Sequence, residues 1–287
     1  MADDSIPGPS DVPATVLRKT VDNAPAPTPV SARIPYTACP LCASGDFAAL
    51  GYADCTHHPL YQDILPAQMV WCRCNACAHV FTDGYFTEAA ARVIFSKTNE
   101  SQAVGHDAEG QRRVSARIVE RVARHVSGGD WLDVGFGNGS LLFTAQEFGF
   151  GPVGTDLRSD GVAALAALGY EAYCQPLEQL DMPGRFAVIS MADVLEHMPY
   201  PRTALDKARS LLRPDGAIFV SMPNMSSMVW RLLDQQMLNP YWPEIEHYHN
   251  FSRERLYALL EDHGFTPVNF AVSERYRVCM EVIAIRK

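Results

Sequence analysis

Trp131-Leu132-Asp133-Val134-Gly135-Phe136-Gly137-Asn138-Gly139-Ser140-Leu141-Leu142 reads as a short apolar strand, a glycine-rich turn and the start of an apolar helix. Glycines in such a turn tolerate positive φ and let a ligand come close to the backbone. A dinucleotide fingerprint would read G-x-G-x-x-G. Here the run is G-x-G-x-G, and Ser140 stands where that fingerprint has its third glycine. Asp133 is acidic at a place a pyrophosphate would disfavour, which points to a cofactor with an ammonium group and no phosphate. Working outward, the next strand, Gly151 to Asp156, ends about twenty residues on in a carboxylate that can hold two ribose hydroxyls. A further strand runs from Phe186 to Asp193 and leads into Val194-Leu195-Glu196-His197. After it come a helix over Pro201–Leu212, a stop at Arg213-Pro214-Asp215-Gly216 and a strand over Ala217–Ser221. Ser252 can cap a helix from Arg253 to His263, with Leu256, Leu259 and Leu260 on one face and Gly264 past its end. Two strand-like runs, Phe265–Val272 and Arg277–Ile285, close the chain. The alternation predicts an α/β fold around a mostly parallel sheet.

The remainder divides by composition. The chain has 287 residues, 47% apolar and 20% charged, so most of it can build a core. Seven of the twenty prolines (Pro7, Pro9, Pro13, Pro25, Pro27, Pro29 and Pro35) fall before the first aromatic residue, Tyr36. Such a stretch cannot bury enough apolar area to offset its ordering entropy, so residues 1–35 are read as a disordered tail. Residues 36–85 carry six of the eight cysteines. Cys39-Pro40-Leu41-Cys42 and Cys74-Asn75-Ala76-Cys77 are two C-x-x-C turns, each aiming two thiolates at one point; together they predict a closed, structural four-thiolate zinc site in a ribbon-like module. Cys72 should point away from the turn. Cys55, Cys174 and Cys279 read as core, and His57 and His58 as solvated loop. Residues 86–111 are polar and read as a linker or lid containing His106 and Asp107, and residues 112–287 form the main domain. The formal charge of −9 weakens any reading in which the whole molecule wraps nucleic acid. No apolar run approaches the roughly 18 residues of a membrane span. The acidic start MADDSIPGPS is unlike a secretory signal, so a cytoplasmic setting, where zinc is favoured over disulfides, is expected.

From about residue 112 onward the chain resembles the class I S-adenosylmethionine-dependent methyltransferases. The resemblance rests on LDVGFGNG, on Asp156, on MADVLEHM and on LLRPDGAIFVSMPN. It implies a Rossmann-like seven-stranded sheet whose last hairpin supplies the antiparallel strand. It also implies that Asp133, Gly135, Phe136, Gly137, Asn138 and Gly139 line the methionine part of S-adenosylmethionine. Asp156 would hold the ribose with Leu157 beside the adenine, Pro176 and Leu177 would flank the other adenine face, and Met191, Ala192 and Asp193 would close the pocket. The cysteine module resembles the N-terminal zinc ribbon of a bacterial subgroup of these enzymes, some of which are sugar methyltransferases.

Methyl transfer to a hydroxyl needs the acceptor held in line and a base for its proton. The segment Tyr241-Trp242-Pro243-Glu244-Ile245-Glu246-His247-Tyr248-His249-Asn250-Phe251-Ser252 follows the fifth strand and resembles the E-H-x-H-x-F-S stretch of the same subgroup, which lies over the acceptor pocket. In an extended segment positions 247 and 249 face the same side. His247, His249 and, beside the fourth strand, His197 are therefore the candidate bases; each could instead serve packing or hydrogen bonding. Met225, Met228 and Trp230 are pocket wall or core. The basic run Arg112, Arg113, Arg117, Arg121 and Arg124 is a solvated helix face or an anion site. The reading that follows is methyl transfer to an oxygen or nitrogen of a small molecule such as a sugar, a nucleotide-sugar or a secondary-metabolite precursor, with homo-oligomerisation left open. An RNA methyltransferase using the ribbon to dock RNA, and a non-catalytic scaffold that keeps the cofactor site, are the alternatives.

Overall fold

A computed structural model describes residues 32–95, 100–276 and 278–287. The tail expected over 1–35 lies outside these residues as far as position 31. Its end does not behave as a tail: Ala32 is buried, and Arg33–Pro35 forms strand β1, paired antiparallel with β5 (Gly84–Phe86). Between them lie β2 (Phe47–Asp54), β3 (Gln68–Cys74) and β4 (Val80–Thr82). The expected linker holds helix α1 (Glu88–Phe95), and α2 (Ala108–Ala123) begins four residues before the expected domain boundary.

The main domain then alternates as its pattern predicts: β6 (Gly129–Val134), α3 (Ser140–Glu147), β7 (Phe150–Thr155), α4 (Ser159–Ala167), β8 (Glu171–Tyr173), β9 (Phe186–Ala192), α5 (Pro201–Leu211), β10 (Leu212–Pro223), α6 (Met228–Gln235), β11 (His249–Asn250), α7 (Arg253–Asp262), β12 (Phe265–Val272) and β13 (Cys279–Arg286). Arg213–Gly216 does not stand apart as a stop; it is an irregular stretch inside β10, where the register against β9 shifts between Leu212 and Ala217. Ser252 does cap α7, its hydroxyl accepting from the Arg255 N–H, and Gly264 follows with φ +78°.

Seven strands form one sheet in the order β12-β13-β10-β9-β6-β7-β8. β6 to β10 run parallel to one another, and β13 runs antiparallel to both β10 and β12. Parallel strands covered on both faces need continuous apolar runs. β9 meets that requirement, with every residue from Phe186 to Met191 buried. The chain leaves β6 toward β7 on one side and later returns to β9 on the other. Such a reversal opens a crevice at the carboxyl ends of the two strands, where ligands bind in open α/β sheets.

The N-terminal segment does not form a separate module. β11, from the acceptor segment, pairs with β4 and becomes the edge of the sheet β11-β4-β3-β2. Tyr36, Cys39, Leu41, Cys72, Cys74 and Phe81 share one core with Leu132, Ile189, Val220 and Phe251. The boundaries read from composition at 36–85 and 112–287 therefore separate sequence stretches that bury a common apolar surface. Among the described residues, no helix is long and apolar enough to cross a membrane.

Candidate active site

The turn after β6 has the conformation that its glycines predict. Gly135, Gly137 and Gly139 have φ of +65°, +55° and +77°. A Cβ on Gly135 would stand 2.9 Å from Val194 Cγ2, so this glycine answers both to its backbone angle and to the close pass of the β9 loop. The Asn138 side-chain oxygen accepts from the Ser140 N–H, and the Asn138 carbonyl accepts from the Gly105 N–H at 2.9 Å. The polar segment before α2, with His106 beside Asp107, therefore lies against the glycine turn. Phe136 turns inward onto Leu142 and Leu165, so only its backbone can face a ligand.

Asp133 is 3% exposed. The Ser190 hydroxyl donates to its Oδ1 at 2.5 Å and itself accepts from Trp131 Nε1 at 2.8 Å. Burial pushes the Asp133 carboxyl up to about 7. A buried carboxylate in that state gains from a nearby cation.

Asp156 lies one residue past β7 and is buried, and both of its oxygens are engaged. Oδ1 accepts from the Arg158 backbone N–H (2.9 Å) and Nε (3.0 Å), and Oδ2 from Nη2 (2.6 Å). Arg158 Nη1 donates to Gln102 Oε1 at 2.9 Å, tying the pair to the lid segment. Leu157 is 59% exposed, free to cover a flat ring. The Leu177 side chain is buried in the main core, which leaves its backbone rather than its side chain to meet an adenine beside Pro176. Met191 is buried, Ala192 partly so, and Asp193 takes φ +57° with Oδ1 accepting from the Ser221 hydroxyl at 2.8 Å. Arg275, from the β12–β13 loop, stands 3.8 Å from Asp193 Oδ2.

Past Asp193, a short helical turn (Leu195–His197) meets the acceptor segment. Here Glu196, His197 and His247 bring their ligand-type atoms within 4.8 Å of one another. Glu196 is 1% exposed, and neither of its oxygens has a hydrogen-bond partner. Burial, then Asp193, push its carboxyl well above the ordinary range. His197 Nδ1 donates to the Glu246 carbonyl at 2.9 Å, which leaves Nε2 with its lone pair. His247 is buried with Nδ1 unpartnered, and burial, then His197, lower it to about 3. His249 does not join them. Its Nε2 donates to the Met198 carbonyl (2.9 Å) and its Nδ1 faces His79 Nε2 (3.1 Å), so both nitrogens are spent on structure. The alternation that puts 247 and 249 on one side of a strand is broken because β11 begins only at His249.

His58 is half-buried rather than solvated, its Nε2 lying 2.6 Å from Glu244 Oε1. Burial acts to raise Glu244, but the His58 hydrogen bond together with the charges of His247, His58 and His197 more than offsets it and holds the carboxyl down at about 2. Neither Arg158 nor Arg275 carries a motif, so sequence reading passes over them, and nothing in the sequence around His58 marks its pairing with Glu244. Trp230 is core: it stacks on Tyr241 at 5.3 Å and meets Trp242 edge-on at 5.4 Å. The arginine run of α2 is largely paired: Arg112 with Glu147, Arg117 with Glu274 and Arg121 with the buried Glu281. That pairing removes the reason to read an anion site there.

The four cysteines of the two C-x-x-C turns also converge within 4.8 Å, with Cys39 to Cys77 at 3.7 Å and Cys42 to Cys74 at 3.5 Å. A tetrahedron with Zn–S of about 2.3 Å has edges of about 3.8 Å, so the donor set fits zinc. Cys72 is buried and outside this group, and Cys55 and Cys279 are buried as expected. Cys174 is not core: it follows β8 and is exposed.

Comparison with known proteins fits this geometry. The profile of the family described as "Methyltransferase domain" matches residues 106–269, more than half of the chain. The chain belongs to this methyltransferase family. It is 31% identical over 145 residues to the ubiquinone biosynthesis O-methyltransferase of Colwellia psychrerythraea, covering 46% of this chain and 59% of that enzyme. It is 29% identical over 133 residues to the enzyme of the same name from Paraburkholderia xenovorans, covering 43% and 57%. The methyltransferase thus matches a little over half the length of these curated relatives. Its fold matches that of magnesium protoporphyrin IX methyltransferase from Synechocystis, solved with bound S-adenosylhomocysteine, at a TM-score of 0.50 and 20% identity over 62% of this chain and 84% of that one. Dependence on S-adenosylmethionine follows from the family together with the glycine turn and the paired acidic strand ends.

Proposed function

We propose that the protein transfers a methyl group from S-adenosylmethionine to an oxygen or nitrogen of a small molecule. The observation that carries this reading is the Glu196–His197–His247 cluster, with Glu196 and His247 buried and His197 partly so, one short turn beyond the Met191–Asp193 edge of the cofactor crevice. The O-methyltransferase names of the curated relatives favour oxygen as the acceptor atom. When bound, the cofactor supplies a methyl group on a positively charged sulfur.

The chain's own residues then divide the work. Asp133 meets the cofactor's ammonium group, with Ser190 and Trp131 fixing its orientation. Gly135, Gly137, Asn138 and Gly139 supply backbone surface, Asp156 takes the ribose hydroxyls, and Leu157, Pro176 and the Leu177 backbone border the adenine. Met191, Ala192 and Asp193 close the crevice. On the acceptor side His197 or His247 receives the proton of a hydroxyl; His249 braces the wall. Cys39, Cys42, Cys74 and Cys77 hold a structural zinc ion that fixes the fold of the N-terminal sheet. That sheet carries β11 and, through the Trp71 Nε1 bond to the Trp242 carbonyl at 2.8 Å, the acceptor segment itself.

An acceptor screen with labelled S-adenosylmethionine tests the reading, using hydroxylated aromatics, sugars and amines. Turnover of at least one small acceptor that falls sharply in His247→Ala and His197→Ala supports it. Methylation confined to RNA would contradict it.

A further inference from the structure

We propose that Glu196, His197 and His247 form a binding site for a divalent first-row cation at the acceptor end of the crevice, separate from the four-cysteine centre. The proposal rests on the placing of the acceptor site above and deepens it. Among the described residues, only two groups of His, Cys, Asp or Glu converge this closely, and this is the one without cysteine.

Three observations support a cation. Glu196 is 1% exposed, and both oxygens lack a partner. Buried polar groups are normally paired, so a carboxyl with both oxygens unpartnered is an exception that a bound ligand would resolve. Second, His197 is oriented as metal-bound histidines are, one ring N–H spent on a backbone carbonyl (Glu246, 2.9 Å) and the other nitrogen free. His197 Nε2 lies 4.0 Å from Glu196 Oε1. Third, the surroundings are acidic. Asp193 and Glu246 act on Glu196, and Glu244 acts on His247, against Arg275 beside Glu196 and His58 and His249 beside His247. A dication would relieve that excess.

Two imidazoles and one carboxylate suit iron, cobalt, nickel or zinc rather than magnesium or calcium. Ligand atoms about 2.1 Å from one cation lie about 3–4.3 Å apart, so closing from a 4.8 Å spread needs only side-chain adjustment. The three residues leave coordination positions for the acceptor. The substrate class is then narrowed to molecules that present a hydroxyl, or two adjacent oxygens, to the cation. The cation would lower the pKa of that hydroxyl so that the acceptor binds as its anion with the proton released to solvent, and in the cation-bound site His197 and His247 would serve as ligands in place of the base role given to them above.

The test uses the full chain with zinc already at the cysteines, titrated with Co2+ and followed by calorimetry and visible absorption. S-adenosylhomocysteine binding is measured on every sample. Wild type should take up one further equivalent, with d–d bands and no thiolate charge-transfer band. Glu196→Gln and His247→Ala should each weaken that uptake by at least about tenfold while S-adenosylhomocysteine still binds; His247→Gln, closer in volume, serves if His247→Ala does not fold. No second equivalent in a wild-type sample that binds S-adenosylhomocysteine overturns the cation and leaves methyl transfer standing. Unchanged uptake in the variants overturns the ligand assignment. Failure of folded wild type to bind S-adenosylhomocysteine overturns the reading beneath both.

Discussion

Asp133 shows how one buried carboxyl sets the conditions for cofactor binding. Held at about 7 by burial, it carries a proton at lower pH and charge at higher pH. The cofactor's ammonium favours the charged form. Affinity for S-adenosylhomocysteine should therefore fall as pH drops below about 7, approaching tenfold per pH unit, and be flat above it. Calorimetry between pH 5.5 and 8.5 checks this; Asp133→Asn should bind weakly and lose the dependence. At Asp156 the competitor is internal. A ribose diol has to displace part of the Arg158 chelate, so Asp156→Ala should abolish measurable binding, whereas Arg158→Ala should tighten it a few-fold. Unchanged affinity in Asp156→Ala would remove the ribose assignment. Asp133 and Asp156 were legible because motif spacing places them at strand ends. Arg158 was not, because its role arises from a turn that folds its side chain back two residues. His249 misled for a related reason: alternation assumes a continuous strand, and the strand covers only His249 and Asn250.

The elements of the parallel sheet were legible because their apolar runs must be buried on both faces and because caps mark their helices. Ser252 is a clear case: hydroxyl, helix and following glycine all behave as the pattern implies. Ser252→Ala should cost about 1 kcal/mol in chemical denaturation, since the Arg255 N–H loses its acceptor. The irregular start of β10 was less legible, because Arg213-Pro214-Asp215-Gly216 has the composition of a turn while its flanks pair with neighbouring strands. β11 could not be read at all. Two residues carry no periodicity, and their pairing with β4 spans about 170 positions. That pairing gives His79 a task. Its ring is fully buried against His249 and Phe251. His79→Ala should lower stability by about 1–3 kcal/mol and raise the KM for the acceptor, leaving S-adenosylhomocysteine affinity unchanged. A change in cofactor affinity instead would mean that the N-terminal sheet supports the wrong half of the crevice.

For the whole molecule, composition separated a cysteine-rich stretch from an α/β stretch, and the fold joins them. The reason lies in area: the N-terminal sheet is too small to bury its own faces, so Tyr36, Leu41 and Phe81 complete a core begun by the large sheet. Removal of zinc should therefore act beyond the cysteines. Chelation is expected to lower Tm and weaken acceptor binding together; a chelated protein with unchanged Tm would count against a metal at Cys39, Cys42, Cys74 and Cys77. The crevice between β6 and β9 is the proposed binding site of S-adenosylmethionine. Its most direct test is calorimetry with S-adenosylhomocysteine on the folded, zinc-loaded chain. One site of micromolar affinity, about −8 kcal/mol, lost in Asp156→Ala, is the predicted result. No heat of binding in that sample would contradict the account.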